Sequence, residues 1–305
     1  MRLSSCSRVS CGPSVTMHLI PPRWLPSMRG RTPEGALPGT SLPPLTLPEI
    51  ERTRPSSKCI ISSMARIGDY TTAAEASPAA WVAAGLRGFG ETVLSVVPVG
   101  FAAYARIFHP AERRQGDDCK PVSWHAVAVA NGRVAHRAMQ WPSLVGSWRL
   151  VHGDSHQHGV WDGEPAEGSL PRDLAMVLAE VLAGQTATPA RCWFAVWEGF
   201  GALAVPKGSA PSFEVPHRRM LLLTGSVTAV GTSLCREPFW QSPNLWWPDD
   251  RAWCVATEID LMTTYVGGSR RCVQAVLDRP ELEVAIVEPA DGVTYRSDSV
   301  NPPPT

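Results

Sequence analysis

Glu258 and Asp260, two positions apart in RAWCVATEID, are the residues best placed to do chemistry. In an extended strand side chains alternate between faces, so Cys254, Ala256, Glu258 and Asp260 would share one side, with the two carboxylates about 7 Å apart. Such a pair can divide into proton donor and acceptor, hold a metal ion or grip a cation. The same acids would be chemically idle if the strand ended there and they faced water or paired with Arg251, Arg270 or Arg271. Nearby in sequence lie Trp197-Glu198-Gly199, the tryptophans Trp240, Trp246 and Trp247 in FWQSPNLWWPDD, and Tyr265. A loop stiffened by two prolines and rich in indoles suits recognition, since Trp is enriched at binding hot spots, unless the loop folds back on its own side chains.

Two further motifs compete with ordinary explanations. Gly267-Gly268-Ser269 ahead of a helix, with Arg270 and Arg271 following, has the ingredients of an anion site or of a plain capped turn around Ser269. It is neither a P-loop nor a dinucleotide fingerprint. His152, Asp154, His156 and His158 alternate as metal ligands can, but the glycines around them point to a loop, and no metal is expected. There is no GxSxG elbow, no HExxH and no cysteine beside an identifiable base. The eight cysteines include no CxxC pair, so no zinc knuckle and no cofactor is expected.

The elements that would position these residues lie after about residue 66. From 1 to 66 the chain is rich in Pro, Ser, Gly and Arg without apolar period, and is read as a disordered leader or a mis-assigned start with Met64 as the true beginning. Residues 67–290 read as a single globular domain and 291–305 as a disordered tail. Ser77-Pro78 looks like a helix start, and ETVLSVV and FAAYARIF look like neighbouring strands. SWHAVAVANG reads as a helix capped by Ser123, and 132–168 as long loops. Leu170, Leu174, Val177, Leu178, Val181 and Leu182 define a core helix. CWFAVW, RMLLLTG, AWCVATEID and LEVAIV read as strands, with a helix from about Arg270 to Pro280. The mixture lacks a strict βαβ rhythm and predicts an α+β fold with a mixed, largely antiparallel sheet packed by a few helices.

Composition narrows the function. Lys plus Arg equals Asp plus Glu at 28 each, without a long run of either sign, so neither nucleic acid nor a membrane surface is an expected partner. A soluble, cytoplasmic protein is expected.

The words CWFAVWEGFG, RRMLLLTG, QSPNLWWPDDRAWCVATEID and TYVGGS, in that order, resemble an uncharacterised family of bacterial proteins from high-GC genomes across approximately residues 90–290. That resemblance implies no activity, and it leaves the leader outside the shared region. Gly199-Phe200-Gly201-Ala202 departs from the polar or acidic end expected of the WEG turn.

The leading expectation is a non-enzymatic binding or interaction protein, of an immunity or regulatory kind, with another protein as partner. Its recognition face would use Trp197, Glu198, Trp246, Trp247, Arg251, Glu258, Asp260, Tyr265 and Ser269. The rival is a small-molecule enzyme, such as a hydrolase, with a pocket of Glu198, Glu258, Asp260 and Tyr265.

Overall fold

The structure is a computed structural model that describes residues 64–116, 118–151 and 155–305. The proposed leader lies outside these residues except for 64–66, as do His152, Asp154, Cys6, Cys11 and Cys59. The rest is α+β, built on a ten-stranded sheet in which every neighbouring pair is antiparallel.

In chain order the strands are β1 (Arg66–Ile67), β2 (Tyr70–Thr72), β3 (Ala103–Phe108), β4 (Ala111–Gln115), β5 (Asp118–Val122), β6 (Cys192–Trp197), β7 (Ser212–Val215), β8 (Arg218–Gly225), β9 (Leu245–Pro248), β10 (Trp253–Ala256), β11 (Thr263–Gly268) and β12 (Glu283–Val287). The sheet runs β1-β2-β8-β6-β9-β10-β11-β3-β12, β7 pairs with β8, and β4–β5 form a separate hairpin. The helices are α1 (Ala80–Gly85), α2 (Trp124–Ala130), α3 (Trp141–Val145), α4 (Arg172–Ala183) and α5 (Arg270–Leu277).

Strand alternation divides the core into two layers. Phe194, Val196, Leu221, Leu223, Trp246, Trp253, Val255 and Val266 point to the face that packs with Leu178, Leu182 and Val276 of α4 and α5. Ala195, Met220, Leu222, Leu245, Trp247, Cys254, Ala256 and Tyr265 point to the other, with Val82 of α1 and Val93, Val96 and Val97. With both faces covered, the strands read as apolar runs rather than as alternating ones. A third cluster stacks Trp124, Trp141 and Trp161 over Phe108, with ring centroids 5.0 to 5.5 Å apart.

The expected helices formed where the apolar period and caps coincide. Ser123 accepts from Ala126 N at the start of α2, Ser269 accepts from Cys272 N at the start of α5, and α4 follows Pro171. Three local expectations need correcting. Ser77 lies inside a 3-10 turn rather than capping it, because Ala76 occupies the cap position. ETVLSVV contains a 3-10 turn at Val93–Ser95 instead of a strand, since the Ser95 hydroxyl accepts from Glu91 N and Thr92 N and closes the backbone locally. Residues 291–305, expected to be a free tail, pack onto the domain: Asp298 and Asn301 are buried, and Thr305 N donates to Gly146 O.

That segment answers a problem set by β3. Arg106 is buried on the Trp247 side of the sheet, donating to the carbonyls of Arg137 and Met139 and to Gln140 Oε1, with Phe108 4.7 Å away under its guanidinium. Burial lowers its ionisation, and Tyr265, Asp298 and Asp291 act in the opposite sense. The Asp298 carboxylate accepts from His136 Nε2, Gln140 N, Val300 N, Asn301 N and Asn301 Nδ2. Burial alone would raise its pKa, but these hydrogen bonds outweigh burial and hold it below the ordinary carboxylate value.

The end of β11 shows why glycine stands in the TYVGGS run. A methyl group at Gly267 would overlap the Phe101 ring and crowd Val97. Gly267→Ala is therefore expected to destabilise the protein by about 1 to 3 kcal/mol through overpacking, readable as a lower urea midpoint. An unchanged midpoint would show that Phe101 can move aside.

Candidate functional site

The predicted residues separate into two groups. Trp246 and Trp247, expected on a recognition loop, lie in β9 and are fully buried, one in each layer. Leu245-Trp246-Trp247 is a bulky aromatic run that pairs with both β6 and β10, and such residues favour strands. Tyr265 is likewise buried within β11, with its ring centroid 6.0 Å from the Arg106 guanidinium. Arg251 and Ser269 sit beside the start of β10 and the end of β11, away from the acids. Arg251 has a left-handed backbone and its guanidinium lies 5.5 Å from the Trp81 ring centroid; Ser269 is a helix cap. None of these five can belong to one recognition surface with Glu258.

Trp197, Glu258 and Asp260 do gather, around a residue that sequence reasoning missed, and Glu198 meets the residue after it. β10 ends at Ala256, earlier than expected, so the two acids lie in the turn that follows, where Asp260 N donates to Glu258 Oε2 at 2.7 Å. Both carboxylates meet Arg218 at the start of β8: Nη2 lies 2.8 Å from Asp260 Oδ2 and 3.2 Å from Glu258 Oε1. The Arg218 guanidinium also lies 5.1 Å from the Phe89 ring centroid and 5.6 Å from that of Trp197. Arg219 next to it reaches Glu198 at 3.3 Å and, more loosely, Glu214 at 3.9 Å. Arg218 was invisible in the sequence because its neighbours follow from the register of β6 on β8, which sets Trp197 opposite Met220.

Of these groups Arg218, Glu258 and Phe89 line a small apolar cleft on the Trp247 side of the sheet. Its volume is about 50 Å³, and Leu86, Phe89, Val215, Met220, Leu245 and Ile259 contribute to its walls. Asn244 secures one end: Oδ1 accepts from Trp197 N, and Nδ2 donates to the carbonyls of Thr257 and Gly168. Gly168 has φ +68 and lies so close to Ile259 O that no Cβ would fit there.

Electrostatically the two predicted acids differ. Glu258 is mostly shielded, with its side chain 18% exposed, and burial raises its pKa against the opposing pull of nearby backbone N–H groups and Arg218. Asp260 keeps 71% of its side chain in solvent. Burial, reinforced by the Glu167 charge, pushes Glu164 up to about 7, and its Oε2 is buried without a hydrogen-bond partner among the described residues.

Behind this segment runs a buried polar chain. His109 Nδ1 lies 2.6 Å from Ala166 O and Nε2 lies 2.8 Å from Thr264 Oγ1, which in turn lies 2.7 Å from Thr257 Oγ1. A carbonyl can only accept, so Nδ1 carries the proton; neutral Nε2 then accepts from Thr264, and Thr264 accepts from Thr257. Burial pushes the imidazole down to about 4, which keeps it neutral. His109, Thr257 and Thr264 are all fully buried, so the chain ties β3, β11 and the end of β10 to the 164–168 segment.

Among the described residues, no group of three or more His, Cys, Asp or Glu side chains is arranged to hold a metal ion, and no helix is long and apolar enough to cross a membrane. No protein-family model, curated protein or solved structure matches this chain.

Proposed function

We propose that this chain is a binding protein and that the Arg218 cleft receives one apolar side chain of a partner protein flanked by basic residues. The size of the cleft carries this reading: about 50 Å³ suits a single side chain and is far below the roughly 300 Å³ at which small-molecule sites begin. Phe89, 41% exposed at the rim, is the kind of aromatic that anchors interfaces. The carboxylates of Glu198, Glu214, Glu258 and Asp260 outnumber the guanidinium groups of Arg218 and Arg219 that they contact, which favours a basic partner. An enzymatic reading draws support from burial, which raises the pKa of Glu258 and favours its protonated form, as a proton donor requires. It is the weaker reading because Asp260 is exposed and ion-paired, and Tyr265, the fourth member of that pocket, is buried elsewhere.

The test is selection of peptides from a displayed library against the full chain, followed by affinity measurement. Enriched peptides should carry one Leu, Ile, Met or Phe beside Lys or Arg. Phe89→Ala should weaken them about tenfold, and Asp260→Lys should both weaken them and flatten their salt dependence. Failure of any such motif to enrich, or equal binding to both variants, would remove the reading.

A further inference from the structure

A second, larger cleft lies between the β4–β5 hairpin, the start of α2 and the Pro280–Glu283 segment. Its volume, about 520 Å³, falls within the usual range for small-molecule sites. Phe108, Leu174 and Leu282 give it an apolar lining.

Its polar side chains are unequally satisfied. Glu281 is held by Arg279 at 3.2 Å, and the Glu283 carboxylate accepts from Trp124 N and His125 N at 2.7 and 2.8 Å. Arg113 and Lys120 face each other directly across the hairpin and both line the cleft, yet neither has a carboxylate within ion-pair distance among the described residues. Like charges opposed across an antiparallel pair disfavour the hairpin that holds them, so the arrangement lacks a structural motive. An anion between them would turn that repulsion into two charge-assisted contacts. The strand alternation that aims Arg113 and Lys120 also places Ala111 and Val122 on the same face, so the cations border an apolar surface.

We infer that this cleft binds a small organic anion, with its carboxylate or phosphate between Arg113 and Lys120 and its apolar body against Phe108, Leu174 and Leu282. The inference is independent of the Arg218 cleft.

Calorimetric titration of the full chain tests it with four probes: octanoate, phenyl phosphate, inorganic phosphate and octylamine. The first two distinguish a carboxylate from a phosphate head and at least one should bind, while inorganic phosphate and octylamine should be at least about tenfold weaker. The R113Q/K120Q double variant should lose about tenfold or more in affinity for the organic anion and should keep the native circular dichroism spectrum, since it removes a repulsion from an exposed hairpin. Ala126→Phe, at an exposed α2 position lining the cleft, should block the apolar body without touching the core. Absence of binding by both organic anions, octylamine binding as well as octanoate, or undiminished affinity in the double variant would each overturn the inference.

Discussion

Replacing His109 with leucine is expected to destabilise the protein by about 3 kcal/mol at neutral pH and by far less near pH 4. The neutral ring now donates to Ala166 O and accepts from Thr264, and leucine would leave both partners buried and unpaired. The pH dependence follows from linkage. In the folded protein the imidazole is pushed down to about 4, whereas in the unfolded chain it titrates near its ordinary 6.5, so the unfolded state binds more protons between these values. The stability that His109 contributes is therefore complete above about pH 6.5 and is lost as pH falls towards 4, an integrated change of about 3 kcal/mol.

Glu164 acts in the reverse sense. Its folded value is raised to about 7, so it favours the folded state increasingly as pH falls from there towards its unfolded value of 4.5. The wild-type profile alone will look flat where the two overlap, and the difference between wild type and His109→Leu is the informative quantity. Urea unfolding of both proteins at about pH 7, 5.5 and 4 should show that difference shrinking by about 3 kcal/mol. A difference constant with pH would show that the ring titrates normally and that the buried chain is misassigned.

Asp298→Ala should cost about 3 to 5 kcal/mol, as should truncation after Ser297. The carboxylate is completely enclosed, and its loss would strand donors from His136, Gln140, Val300 and Asn301 while removing one of the charges that offset buried Arg106. Because its folded pKa is depressed, its contribution is present above the ordinary carboxylate value and fades only below about pH 4, a window distinct from that of His109. Adding Arg106→Met to Asp298→Ala should recover part of the loss, since removing a stranded buried cation relieves its desolvation. A loss below about 1 kcal/mol on Asp298→Ala would mean that the C-terminal segment is dispensable to the core.

These two residues also mark the boundary of what the sequence revealed. α4 and α5 were legible because a 3.6-residue apolar period coincided with clear stops, and CWFAVW, RMLLLTG and LEVAIV were legible as short apolar runs. Trp246 and Trp247 were misplaced because a strand buried on both faces carries no alternation, and the flanking prolines imitate a loop. The C-terminal segment was misread because its order comes from hydrogen bonds to one carboxylate, which leave no apolar period behind. Of the candidate site, the acids and Trp197 were found; Arg218, Asn244 and Phe89 were not, since their meeting depends on strand pairing that only the folded sheet defines.

The consecutive indoles of β9 carry a mechanical consequence. Because Trp246 is lodged above the sheet and Trp247 below it, a one-residue slip of that strand would exchange the two and disturb both layers at once. Neither half of the interior can loosen alone while this strand holds its place, so the two layers melt as partners.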